Sequence, residues 1–252
     1  MPKTATCLLA LGDSAWTVEF GSTIDPKINA RVMALADRVA QARRDEPLFG
    51  TVTDVVPTFR SLTVHFPPAK TDSEALAERL QAMAQEAGEQ IATGRLWRLP
   101  ACFDPGFAPD LPTLAQAKGM TENEIIERLL DTEFRVYMIG FLPGFPYMGG
   151  LPKELAMPRL ASPRQKVPAH SIAVAGEMCA VYPWESPGGW NLLGKTPVPL
   201  FDLNQVEQPA MLAAGDRVRW SAVSSTEYEQ LLAQCRSGQL TREAFLHSGA
   251  SA

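Results

Sequence analysis

"SPGGWNLLGKTP", Ser186 to Pro197, decides how the second half of this 252-residue chain is read. Gly189, Gly194, Lys195 and Thr196 spell out G-x-x-x-x-G-K-[ST]. A phosphate-binding loop of that pattern needs a buried strand running into it and a helix running out, so that backbone N–H groups cradle the phosphates. Neither flank allows it. Pro197 and Pro199 follow in "KTPVPLFD", and a proline disfavours helical geometry in the residue before it, so the exit is extended. Pro183 and Pro187 lie upstream, where a central parallel strand has no room for proline. Too little chain follows Thr196 for the repeated strand and helix units of a mononucleotide-binding sheet. The glycines therefore need another explanation: unusual backbone angles or close approach. Gly189 is expected to hold a positive φ.

Around this stretch the strands are short: "FRVYMIGF", "SIAVAG", "MCAVYPW" and "DRVRWSAV", separated by frequent Gly and Pro. That spacing predicts a compact β-barrel or sandwich rather than a parallel sheet. One inserted helix is expected over 121–131, where Thr121 and Glu124 form a capping box ahead of Ile125, Ile126, Leu129 and Leu130. The texture differs before residue 95. "TCLLALGDSAWTVEFG" reads as two strands about a turn, and Ile28, Val32, Leu35 and Val39 share one helical face behind Asp25 and Pro26. Strands are expected near 51–56 and 60–66, then a helix opened by a Thr71–Glu74 capping box with Leu76, Leu80, Met83 and Ala87 in one stripe. The fold class is α+β: a small N-terminal α/β sandwich domain over 1–94, and a β-barrel domain over 95–252 with short C-terminal helices.

Hydrophobic content of 46% and charged content of 20% are ordinary for a globular protein, and the net charge is −5. No basic cluster of the kind that binds nucleic acid is present, and no run of about 20 apolar residues to span a bilayer. The N-terminus has no export-signal pattern. A cytoplasmic location is expected. Cys7, Cys102, Cys179 and Cys235 are scattered and read as reduced thiols, and with His65, His170 and His247 equally dispersed no metal site is expected.

Three loop-rich stretches carry the candidate chemistry. "GFLPGFPYMGGLP", from Gly140, combines Phe141, Pro143, Gly144, Phe145 and Tyr147. Its prolines stiffen it, so exposed aromatic groups are held at little further entropic cost. "MPRLASPRQKVPAHS" places Arg159, Arg164, Lys166 and His170 in a local basic run, suited to a carboxylate or phosphate. The third runs from Tyr182 through Ser186, Gly188, Gly189, Trp190 and Asn191 to Lys195 and Thr196. All three are expected to converge on one rim of the barrel as a ligand and partner surface. For proton transfer the candidates are His65 and His170, with Arg60 as a further cation.

At these residues the sequence resembles the B-subunit family of 5-oxoprolinase, also described as the KipI-like, allophanate hydrolase subunit 1 or carboxyltransferase domain family. The matching stretches include "GDSAWTVEFG", "VVPTFRSLTVHF", "VYMIGFLPGFPYMGGLP", "PRQKVPAHSIAVAG" and "YPWESPGGWNLLGKTP". The resemblance implies a cyclophilin-like C-terminal barrel and a heteromeric complex with the C subunit of the same family, joined by the A subunit. It implies ATP-dependent opening of 5-oxo-L-proline to L-glutamate, with ATP held in the complex and not by a P-loop. It leaves two other readings: a KipI-like inhibitor of histidine kinase autophosphorylation, and a carboxyltransferase-type chain acting on a urea-like substrate. His170 stands where the family carries glycine in "VPAGS", and "GEMCAVYP" replaces the usual "GEQTGIYP", which implies a more apolar pocket.

Overall fold

Alternation of apolar and polar residues builds the first layer of the molecule. In the computed structural model, which describes residues 6–89 and 94–247, Leu62 and Val64 are buried while Ser61, Thr63 and His65 between them are half-buried. They lie on strand β4 (Ser61–His65) of a four-stranded antiparallel sheet, order β1-β2-β4-β3, with β1 Cys7–Ala10, β2 Ala15–Glu19 and β3 Asp54–Pro57. Helices α1 (Pro26–Asp45) and α2 (Ser73–Glu86) bury Val32, Leu35 and Val39, and Leu76, Leu80 and Met83, in one core with Val18, Phe20, Leu62 and Val64. Asp25 caps α1, accepting from the N–H groups of Lys27 and Ile28, with proline following at the first position. The cap of α2 is Asp72, not Thr71: the Asp72 carboxylate accepts from Ala75 N at 3.0 Å, while the Thr71 hydroxyl donates to Thr51 Oγ1. Two adjacent cap-type residues compete here, and the carboxylate adds charge at the positive helix end.

The chain divides into two compact units, Met1–Ala92 and Thr93–Ala252. The second is built on a seven-stranded sheet. Its strands are β5 (Leu96–Ala101), β6 (Phe134–Ile139), β7 (Pro146–Gly149), β9 (Ser171–Ala175), β10 (Met178–Val181), β12 (Asn191–Lys195) and β13 (Arg217–Ala222), in the order β12-β9-β10-β7-β6-β13-β5. The two outermost strands meet: Cys102 N donates to Lys195 O at 2.8 Å and Lys195 N to Cys102 O at 2.9 Å. This one bridge brings the sheet close to closure as a barrel. Inside lie Leu99, Phe134, Val136, Met148, Ile172, Val174, Val181, Leu193 and Trp220. Helices α3 (Leu111–Lys118) and α4 (Glu122–Asp131) add Leu111, Leu114, Ile125 and Leu129 to that core. The Thr121–Glu124 capping box is formed as expected. A small antiparallel pair, β8 (Arg164–Val167) with β11 (Ser186–Gly188), and helix α5 (Ser225–Arg236) complete the unit.

Candidate functional site

Strand β9 is buried on both faces. Ile172 and Val174 point into the barrel, whereas Ala173 and Ala175 belong to a second cluster with Ala180, Leu192, Phe145, Val167, Tyr182 and Trp190. Alternation along β9, β10 and β12 puts that cluster on the outer surface of the barrel, and the three expected loops cover it. Phe145 packs edge-on against Tyr182 and Trp190, with centroids 5.1 and 6.2 Å away, and against Tyr147 at 4.9 Å. Strands β8 and β11 join the second loop to the third. The loops therefore meet. Their aromatics do so by being buried: Phe145 is 1% exposed and Trp190 4%, while Phe141 at 63% keeps the exposure expected of this segment. Tyr147 and Tyr182 have hydroxyls pushed up by burial.

The cations are partly spent within the fold. Arg164 pairs with Asp110 at 2.6 Å, and the other Asp110 oxygen accepts from Leu192 N at 2.6 Å. Lys166 faces Glu185 at 3.2 Å on the surface, and Arg159 lies over the Trp190 ring at 5.8 Å. The buried Asn191 amide donates to Pro158 O and Val174 O. Arg60 and His65 lie in the first unit; Arg60 donates to Ser22 O and pairs with Glu19. The glycines differ from expectation. Among the described residues Gly144, Gly150 and Gly176 hold positive φ, but Gly188, Gly189 and Gly194 do not. Gly188 is required by contact, since a Cβ would lie 2.3 Å from the Tyr182 hydroxyl; at Gly194 it would lie 2.9 Å from Cys102 O. At Gly189 a Cβ would lie 3.6 Å from Pro163, an ordinary van der Waals contact. Such contacts are set by distant residues and leave no mark in the local sequence.

The lysine of the opening stretch ends strand β12. Its N–H is committed to barrel closure, and Thr196 N donates to His170 O at 3.0 Å, so neither N–H is available to a phosphate cradle. The Lys195 side chain instead lines a cleft of about 280 Å³ with Phe107, His170, Tyr228, Glu229 and Arg236. His170 takes φ 69°, a conformation for which asymmetric polar residues or glycine are suited. Its Nδ1 lies 3.2 Å from Thr196 O; a carbonyl can only accept, so Nδ1 carries the proton and Nε2 the lone pair. Burial, and then the Arg236 and Lys195 charges, hold the imidazole below its ordinary range. Burial also lowers Lys195, against the opposing pull of Glu229, and pushes Tyr228 up to about 12. At neutral pH the cleft thus holds a neutral imidazole, a neutral phenol, two cations and one carboxylate. Tyr228, Glu229 and Arg236 were not among the sequence candidates, because helix α5 looks like any solvated amphipathic helix.

Among the described residues, no group of three or more His, Cys, Asp or Glu is placed to hold a metal, and no helix is long and apolar enough to cross a membrane.

A nearly closed barrel carrying this loop-covered outer face, together with the sequence along it, defines the class. The chain belongs to the family described as carboxyltransferase domain, subdomain C and D, which matches residues 6–212. More particularly, it is 36% identical over 232 residues to the B subunit of 5-oxoprolinase from Bacillus subtilis, covering 86% of this chain and 93% of that one. The crystal structure of TTHA0988 superposes with a TM-score of 0.71 at 32% identity over 84% of this chain, which spans 40% of the length of that one. The Kluyveromyces lactis urea carboxylase structure has a TM-score of 0.78 over 96% of this chain at 20% identity, and this chain spans 24% of it; that likeness is one of fold.

Proposed function

We propose that this chain is the B subunit of a 5-oxoprolinase that opens 5-oxo-L-proline to L-glutamate at the expense of ATP, in complex with a C subunit, joined by an A subunit. The observation that carries this reading is identity of 36% running along 93% of a 5-oxoprolinase B subunit. The urea enzyme, by contrast, resembles the chain at 20% identity and over a quarter of its own length.

A lactam carbonyl is a poor electrophile. Transfer of the terminal phosphoryl group of ATP to its oxygen, with ADP leaving, activates the carbon; one water adds and the ring C–N bond breaks, leaving the side-chain carboxyl as an acyl phosphate, and a second water displaces phosphate to give glutamate. The protein's part is to position the ring and stabilise charge. ATP is held at an interface within the complex, since the GKT segment is a strand end engaged in barrel closure. The barrel is read as cyclophilin-like and the complex as cytoplasmic. The chain alone is inactive, because its cleft supplies binding and proton-accepting groups without a nucleotide cradle.

The test is genetic. In a bacterium that lacks its own B subunit, and so cannot use 5-oxo-L-proline as sole nitrogen source, expression of this chain restores growth. Absence of growth, with the chain expressed and bound to the resident C subunit, refutes the assignment.

A further inference from the structure

The cleft between α5 and the end of β12 is lined by two cations, Lys195 and Arg236, and one carboxylate, Glu229. Elsewhere in the barrel unit, Arg95, Arg128, Arg164, Arg217, Arg219 and Arg242 each pair with a carboxylate. Among the described residues Lys195 and Arg236 form no such pair, although both line one cleft. A half-buried ammonium is costly; the pull of Glu229 and the Phe107 ring, 6.0 Å from Lys195 Nζ, offset part of that cost, and a bound anion would offset more. Glu229 also lines the cleft; it leaves a net positive charge against the neutral His170 and Tyr228. One wall is apolar: the Phe107 and Tyr228 rings are in contact at 4.7 Å, with Leu232 a turn further along α5. At about 280 Å³ the space lies just below the range for drug-sized ligands and suits a single small ring.

We infer that this cleft binds a small cyclic amide bearing a carboxylate, with the carboxylate between Lys195 and Arg236 and the ring against Phe107 and Leu232. The inference rests on the reading of the chain as part of a 5-oxoprolinase and gives that reading a place. Glu229, an acceptor, receives the ring N–H; a ring ester has no matching donor in that position. The Nε2 lone pair of His170 is a second proton acceptor in the lining.

The chain has three histidines, so each ring is separately observable by NMR. Titration of the full chain with 5-oxo-L-proline shifts the His170 ring signals saturably and leaves those of His65 and His247 in place. 2-Pyrrolidinone, the same ring without the carboxylate, does not. Lys195→Met and Arg236→Gln each weaken the response about tenfold or more, the loss of one charge-assisted contact. Lys195→Met retains the fold, since the backbone and not the side chain closes the barrel, and a thermal melt verifies it. In the complex with the C and A subunits, the same substitutions raise KM for 5-oxo-L-proline by a similar factor. Wild-type KM in both variants overturns the cleft and leaves the functional reading standing. A wild-type complex that does not open 5-oxo-L-proline refutes the functional reading, and the His170 response then decides the cleft: no saturable shift, or an equal shift with 2-pyrrolidinone, overturns it. Where the NMR and kinetic results differ, KM in the complex decides.

Discussion

Cys102 and Lys195 exchange two backbone hydrogen bonds, of 2.8 and 2.9 Å, and in doing so join the ends of the seven-stranded sheet. The same pairing sets the Lys195 side chain in the lining of a cleft. Architecture and cleft therefore share one residue, its backbone in the first and its side chain in the lining of the second.

Closure depends on a residue without a side chain at position 194. Gly194→Val brings a Cβ to 2.9 Å from Cys102 O and 3.0 Å from the Phe103 ring, an overpacking that costs about 1–3 kcal/mol. Gly189→Ala, five residues earlier in the same motif, meets nothing closer than 3.6 Å and changes stability by less than about 0.5 kcal/mol. Urea denaturation of the two variants checks the contrast.

The aromatic loop contains one exposed and one buried phenylalanine. Phe145→Ala removes the ring around which Tyr147, Tyr182 and Trp190 pack and destabilises by about 3–5 kcal/mol. Phe141→Ser, at a site 63% exposed, stays within about 0.5 kcal/mol. Thermal melts separate the two. Equal losses would mean that the loop is not held as described.

Asp110 fastens α3 to the loops: one carboxylate oxygen accepts from Arg164 and the other from Leu192 N. Asp110→Ala leaves a buried N–H unmatched and a half-buried guanidinium without its carboxylate, and costs about 2–3 kcal/mol. Arg164→Ala costs less, because the carboxylate keeps its bond to Leu192 N. The order of the two denaturation midpoints is the check.

His170 makes stability depend on pH. Its folded pKa lies below the ordinary value of about 6.5, chiefly through burial, so between the two values the unfolded chain binds more protons than the folded one. Stability then rises with pH across that window and is lost as pH falls through it. His170→Asn, which accepts φ 69°, flattens the slope below pH 6.5. An unchanged slope would place the titration elsewhere.

Local signals in the chain were legible where local physics decides. Asp25 with Pro26 and Thr121 with Glu124 mark helix starts that the structure forms, and the short β-rich segments after residue 95 mark the barrel strands. Pro197 correctly denied the GKT segment a following helix. What escaped depends on partners far along the chain. Asp110 looks like a helix cap, yet its side chain serves Arg164 and Leu192. Asp216 sits in a common Gly-Asp turn, yet it accepts from Arg95, the Trp97 indole and Ala213 N. Arg236 lies on α5 among ordinary surface residues and gains meaning only where that helix meets Lys195. Periodicity reports which face of an element is buried, not what lies across from it.

The most direct measurement is the release of L-glutamate and ADP from 5-oxo-L-proline and ATP by the purified chain combined with the proposed C and A subunits. Equal amounts of both products are expected, formed only when all three chains and 5-oxo-L-proline are present. Glutamate formation undiminished when this chain is omitted, or none from an assembled complex, would contradict the assignment.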